Sequence, residues 1–151
     1  MLLTAGNVKD YRYRLCRSYL LLSILAFTAC SSSEPVEQQS KIAASASQTA
    51  AMVLDAWTAA AAPSSYASAT LQSTAETLAE AARQIQSHNS PESPNRRAVM
   101  TAIGRLSTAA KLAQAGVKAD DPRQVSQARQ DLRAAANDLA VAYARYFAPK
   151  P

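Results

Sequence analysis

The sequence contains few of the residues from which enzymes and metalloproteins build their sites. Its 151 residues include one histidine, two cysteines and three glycines. It has no Glu-x-x-His pair for a ferritin-like metal site and no C-x-x-C-H segment for covalent haem attachment. No glycine-rich loop is present to hold a phosphate, and His88 is the only histidine that could act as a base. We therefore predict that the protein is not an enzyme and that it has no cofactor and no metal.

Two weaker arrangements do not change this prediction. Glu76 and Glu80 lie four residues apart, a spacing that can hold a cation on one helix face. Arg83 follows Glu80 by three residues, which indicates an ion-paired, solvated surface instead. Non-covalent haem binding would need a methionine and a histidine in the core, whereas His88 lies in a polar, proline-containing stretch.

The N-terminal region has the pattern of a bacterial export signal. Four basic residues precede a short apolar run at 19–27, and small residues follow it. Nine helical residues would rise only about 14 Å, whereas a membrane core is roughly 30 Å thick. A permanent transmembrane helix is therefore not expected here.

The segment Phe27-Thr28-Ala29-Cys30 resembles the lipobox of bacterial lipoproteins, with Phe27 where the family commonly has leucine. This resemblance implies cleavage between Ala29 and Cys30 and a diacylglycerol on the Cys30 sulfur. Cys30 is thus the predicted lipidation site and the membrane is a predicted partner. The alternative is an ordinary secretory signal peptide that leaves Cys30 as a free thiol.

The resemblance divides the chain into three parts: a removed signal peptide at 1–29, a lipidated cysteine with a short polar tether at 30–35, and a helical bundle domain at 36–148. A tether of about five residues reaches less than about 20 Å. Ser31 resembles the default outer-membrane sorting residue of diderm bacteria. We expect a lipid-anchored protein of the bacterial cell envelope, on the outer membrane facing the periplasm if the host is a diderm.

Removing the signal peptide also changes the charge. The chain has 16 basic and 11 acidic residues, but four of the basic ones and one acid precede Cys30. The remaining 12 and 10 give a net charge of +2, which is no argument for a nucleic-acid partner. Cys16 is removed as well, so no internal disulfide is possible and stability must come from packing.

The composition of the remaining 122 residues predicts an all-α fold. Alanine accounts for 31 of them, only two are glycine, and no stretch alternates as a β-strand does. We predict an antiparallel up-down four-helix bundle, rich in alanine, with helices over about 36–61, 64–88, 94–115 and 122–147. The alternative is a three-helix arrangement in which a long kinked first helix replaces the first two.

Each predicted helix carries apolar residues at steps of three and four, which is the spacing of a bundle seam. The first seam is Ile42, Ala46, Thr49, Val53, Ala56 or Trp57, and Ala60. The second is Leu71, Ala75, Leu78, Ala82 and Ile85. The third is Val99, Ile103, Leu106, Ala110 and Ala113. The fourth is Val125, Ala128, Leu132, Ala135, Leu139, Ala142 and Tyr146. We expect the first helix to be the weakest packer.

The residues between the helices predict where each helix begins and ends. Pro63 should separate the first two helices, and Ser93 should cap the third with Pro94 in its first turn. Gly116 suits the position just after the third helix. Asp121 should cap the fourth helix, with Gln124 completing a variant of the capping box.

Three surface features are candidates for contacts. Arg96 and Arg97 lie in the first turn of a helix, where the dipole disfavours cations, and are candidate contacts for an anion or a partner. A candidate aromatic interface comprises Trp57, Tyr66, Tyr143, Tyr146 and Phe147, and the alternative is that these residues pack in the core or at the bundle ends. In a simple up-down bundle the end of the first helix and the end of the fourth lie at opposite poles. Gly104, inside the third helix, indicates close approach by another helix or a ligand.

The function that these observations favour is that of a membrane-anchored, non-enzymatic envelope lipoprotein. It would act through protein contacts as an accessory or structural component of an envelope assembly, with an envelope protein as its partner. The alternative is a periplasmic ligand-binding or sensing bundle for a small apolar or haem-like ligand, contacted by Met52, Met100 and Trp57. A cell-wall enzyme or an enzyme inhibitor is a third reading.

Overall fold

The computed structural model of the protein describes residues 34–88 and 93–148. The signal peptide, Ala29, Cys30 and most of the tether lie outside the described residues, so the predictions made for them stay predictions. Among the described residues, no helix is both long enough and apolar enough to span a membrane.

The described chain forms four helices and no strand, which confirms the all-α prediction. They are α1 (Glu34–Thr58), α2 (Ser64–Ser87), α3 (Pro94–Lys118) and α4 (Pro122–Phe147). Each helix packs against the next one along the chain, and α1 returns to contact α4, as in an up-down bundle. The three-helix alternative is wrong, because residues 59–63 separate α1 from α2.

The predicted seams of α2, α3 and α4 form most of the core. Every seam residue predicted for α3 is buried, as are the first six predicted for α4. In α2, Leu71, Leu78 and Ile85 are fully buried, while Ala82 is only half-buried. Because alanine alternates with larger residues, the helix axes can approach closely while leucine and isoleucine fill the layers between them.

The seam predicted for α1 is shifted by about one residue, although Val53 is buried as predicted. Ile42 is 36% exposed, and the other buried apolar residues of this helix are Val36, Ala43, Ala50 and Leu54. One residue corresponds to about 100° around a helix, so the face that packs is turned by that angle from the predicted one. Alanine lies on both faces of α1, which leaves its apolar periodicity weak, and the fully buried Leu54 selects the face that packs.

Two helices end in the same backbone motif, which explains why α1 stops at Thr58 and not at 61. Ala60 has a φ of 56°, and the Ala61 N–H donates to the Ala56 carbonyl over 2.8 Å. At the end of α3, Asp120 has a φ of 50°, and the Asp121 N–H donates to the Gly116 carbonyl over 2.9 Å. These are Schellman motifs with a non-glycine residue in the left-handed position.

The glycines have different roles from those predicted. Gly116 lies inside α3 and not after it, buried where this helix meets the start of α4. A Cβ on Gly116 would lie 2.9 Å from Val125 Cγ2 and 3.1 Å from the Val125 nitrogen. A Cβ on Gly104 would meet nothing within 4 Å, so no part of the described chain approaches it closely.

Both predicted N-caps form. The Ser93 hydroxyl accepts the Arg96 N–H over 3.1 Å, with Pro94 in the first turn. The Asp121 carboxylate accepts the N–H groups of Arg123 and Gln124 over 2.9 and 3.2 Å. In a capping box the side chain of Gln124 would accept the N–H of Asp121. Here that N–H donates instead to the Gly116 carbonyl at the end of α3.

Candidate functional site

The up-down topology places the two ends of the described chain at one end of the bundle. We call it the N-terminal pole, formed by the start of α1, the end of α2, the start of α3 and the end of α4. Hydrogen bonds from three side chains tie these helix ends together. Gln39 donates to Gln84 over 2.6 Å, the Asn95 amide donates to the Arg145 carbonyl over 3.1 Å, and the Arg96 guanidinium donates to the end of α2.

Arg96 is a structural contact of this pole. It is only 5% exposed, and its Nη2 donates to the carbonyls of Ile85 and His88, the latter over 2.8 Å. These groups end α2, where unsatisfied carbonyls and the negative end of the helix dipole favour a cation. The guanidinium therefore joins the start of α3 to the end of α2, and this burial leaves little of Arg96 available to an external anion.

Arg97, one residue further, is exposed and lies in a surface groove between α3 and α4. This groove has a volume of about 600 Å³ and also contains Arg145 and Val141. Both arginines belong to helix turns at the N-terminal pole, and the 49% exposed Val141 gives the groove an apolar side. The structure thus brings a second arginine beside Arg97, but that arginine is Arg145 and not Arg96.

The candidate aromatic residues form two separate groups, as an up-down bundle predicts. Phe147 packs against Tyr143 and Tyr146, with ring centroids 4.6 and 4.9 Å apart. This aromatic trio closes α4 at the N-terminal pole, where Tyr146 packs on the core and Phe147 remains 36% exposed. A tilted and an edge-on ring pair of this kind gives a rigid aromatic surface.

Trp57 and Tyr66 lie at the opposite end, which we call the turn pole, where α1 joins α2 and α3 joins α4. Trp57 is half-buried, and its Nε1 donates to the Ser64 hydroxyl over 3.0 Å. A surface pocket places Trp57 near Asp120 and Pro122, which confirms that both turns lie at this pole. Helices of about 25 residues separate the poles by about 37 Å, so the two aromatic groups do not meet.

A second groove, between α1 and α2, contains the seam residues that α1 does not bury. Ile42, Ala46 and Thr49 form its α1 side, and Tyr66, which is 60% exposed, lies on the α2 side. Its volume is about 630 Å³, and its rim carries mainly serine and threonine hydroxyls. The apolar pattern seen on this face of the α1 sequence therefore marks an exposed surface and not core.

A third groove, of about 520 Å³, lies between α1 and α4 near the N-terminal pole. Leu139, Ala136, Ala140 and Tyr143 form its α4 side, facing serine and alanine residues of α1. It exists because α1 packs mainly against α2 and less closely against α4. This agrees with the expectation that the first helix packs most weakly.

Several ionisable groups of the described chain form exposed ion pairs. A hydrogen bond from Lys41 to Glu37, 2.6 Å long, raises the pKa of Lys41. Hydrogen bonds from Arg83 lower the pKa of Glu80, as expected for the ion-paired surface predicted there. Within residues 34–88 and 93–148, no three histidine, cysteine or acidic side chains come together as a metal site.

The residues proposed as contacts for an interior ligand do not share one cavity. Met52 is 65% exposed on α1, whereas Met100 and Trp57 pack partly against the core. His88, at the end of α2, is exposed, and its Nδ1 lies 3.0 Å from the Gln84 carbonyl. These positions do not place a methionine and a histidine opposite one another in the core.

Comparisons with protein-family models, with curated proteins and with solved structures found no match for this chain. The account of its function therefore depends on the chemistry of the sequence and on the surfaces described above.

Proposed function

We propose that this protein is a lipid-anchored, non-enzymatic component of the bacterial cell envelope. Its helical bundle would act through protein contacts as an accessory or structural subunit of an envelope assembly. The observation that carries the proposal is the lipobox-like segment ending at Cys30, followed within four residues by the first helix at Glu34. A body that begins so soon after the anchor is held close to the membrane surface.

The α1–α2 groove is the surface that we propose for the protein partner. Ile42 and Tyr66 are the large apolar side chains exposed along it, and α1 meets the groove with a periodic apolar face. Aromatic and aliphatic anchors surrounded by polar groups are typical of protein interfaces. A partner helix laid in this groove would give α1 a second packing surface, which supports the accessory-subunit reading.

Photo-crosslinking in cells tests this proposal. Probe amino acids are placed at Ser45 and Tyr66, on the two sides of the groove, in the lipidated protein at native expression. Ser126, exposed on α4, carries the matched control probe. We expect both groove positions, but not the control, to crosslink to the same envelope protein. No crosslink from the groove, or equal capture from Ser126, would contradict the proposed interface.

Ligand binding remains the second candidate function because the α1–α4 groove has an apolar side formed by Leu139, Ala140 and Tyr143. A small apolar molecule would lie along α4 with its polar end near Lys41. Mass spectrometry of the protein purified under native conditions tests this directly. A stoichiometric apolar molecule that is lost in a variant with Ala140→Gln, at an exposed position of the groove, would favour ligand binding, whereas protein free of any such molecule would count against it.

A further inference from the structure

Position in the fold distinguishes the two aromatic groups. The aromatic trio of Tyr143, Tyr146 and Phe147 lies at the N-terminal pole, where α1 begins at Glu34. Three residues, Ser31, Ser32 and Ser33, lie between Cys30 and Glu34, so the Cα atoms of Cys30 and Glu34 are at most about 14 Å apart. If Cys30 carries the lipid anchor, this pole is the part of the bundle that the chain holds nearest the membrane. The turn pole is then held farther away.

The side chains at the N-terminal pole match the chemistry of a lipid surface. Phe147 exposes an apolar ring beside two tyrosines, the residue types that favour the boundary between headgroups and acyl chains. Arg145, in the same helix turn, lies with Arg97 in the α3–α4 groove. Two guanidinium groups beside an exposed valine fit a phosphate headgroup and the first part of its acyl chain.

The charges of the α3–α4 groove favour an anionic surface. The groove contains three arginines, Arg97, Arg105 and Arg145, and one acid, Asp138, which is ion-paired with Arg105. Lys and Arg near an anionic bilayer each strengthen binding by about fivefold.

We propose that the N-terminal pole docks on the membrane surface, with the aromatic trio at the lipid interface and the Arg97–Arg145 groove holding an anionic phospholipid headgroup. This inference rests on the proposed lipid anchor. It assigns Tyr143, Tyr146 and Phe147 to lipid and leaves the α1–α2 groove, on the side of the bundle, open to a protein partner.

The single tryptophan of the chain provides the test, because Trp57 lies at the turn pole. The acylated protein is purified from membranes and reconstituted in vesicles of phosphatidylcholine and phosphatidylglycerol brominated near the headgroup end of the acyl chains. The native protein reports on the turn pole. A Trp57→Phe, Phe147→Trp variant moves the tryptophan to the N-terminal pole, and circular dichroism confirms its helix content.

We expect brominated lipid to quench the emission of the tryptophan at position 147, whereas emission from native Trp57 stays nearly unchanged. Changing Arg97 and Arg145 to glutamine should weaken the quenching at 147, and Arg123→Gln at the turn pole should not. Phosphatidylcholine alone should also give weaker quenching. Equal quenching at the two poles, no quenching at 147, or quenching insensitive to both arginines would overturn the inference.

Failure of the lipid anchor can be distinguished from failure of this inference. A protein without acyl chains is detected by its mass and by its failure to float with vesicles, before any quenching is read. A protein that is acylated and floats, but whose tryptophan at 147 stays unquenched, contradicts only the proposed docking of the N-terminal pole.

Discussion

Gly116→Ala probes a close approach between α3 and α4, and Gly104→Ala is its matched control. Both glycines lie inside α3, so each substitution gains helix propensity, about 1 kcal/mol in a helix interior and less toward its end. They differ in the space around them. A Cβ on Gly116 would lie 2.9 Å from Val125 Cγ2, whereas a Cβ on Gly104 would meet nothing within 4 Å.

The expected magnitudes follow from this contrast. Carbon atoms normally pack at about 3.5–4.0 Å, so the new methyl on Gly116 overlaps Val125 and must displace it. The backbone nitrogen of Val125, 3.1 Å away, limits how far α4 can yield. Overpacking of this kind costs about 1–3 kcal/mol. We expect Gly104→Ala to stabilise the fold by about 1 kcal/mol, and Gly116→Ala to be less stable than Gly104→Ala by about 1–3 kcal/mol.

Urea unfolding followed by circular dichroism measures both variants in protein that lacks residues 1–29 and carries Cys30→Ser. Equal slopes against urea would show that the change lies in stability and not in the unfolded state. A Gly116→Ala protein as stable as the Gly104→Ala protein would refute the close contact between α3 and α4 on which the packing argument depends.

Three further predictions test the helix ends and the surface. Ala60→Gly should raise stability by about 1 kcal/mol, because alanine is strained in the left-handed region, whereas Ala144→Gly in the last turn of α4 should lower it by less than about 1 kcal/mol. Thermal melts that shift the same way for both would contradict this. Arg96→Met should cost about 2–3 kcal/mol by removing charged hydrogen bonds from the carbonyls that end α2, while Arg97→Met should change stability by less than about 0.5 kcal/mol. Similar urea midpoints for the two variants would argue against the structural role. Glu80 has a lowered pKa, so its pair stabilises the fold above the ordinary value of 4.5 and loses this effect on acidification. In Glu80→Gln the free energy of unfolding, measured against pH, should therefore fall less on acidification than in the native protein. An unchanged pH dependence would contradict the prediction.

The sequence predicts the fold well where large apolar residues are spaced regularly. Leu71, Leu78 and Ile85 define the buried face of α2 without ambiguity, and the predicted bounds of α4 are confirmed. In α1 alanine lies on all sides, so the positions of Ile42 and Leu54 decide the face, and only packing against α2 and α4 shows that Leu54 is the one inside.

The candidate site was harder to predict, because it depends on which helix ends meet. Arg96 and Arg97 are neighbours in sequence but point about 100° apart on a helix, so one enters the interior and the other faces solvent. Arg145 could not be assigned to the same groove as Arg97 until the end of α4 was placed beside the start of α3. Ala60 and Asp120 adopt the left-handed conformation without being glycine, so the usual sequence mark of a helix end is absent at both positions.

The mass of the N-terminal peptide from membrane-extracted native protein tests the central claim most directly. The account predicts a peptide that begins at Cys30 and carries diacylglycerol on sulfur, and its loss in a Cys30→Ala variant. A peptide that begins elsewhere, or a Cys30 recovered as an unmodified thiol, would contradict the lipid anchor. The proposed docking of the N-terminal pole would then be contradicted as well.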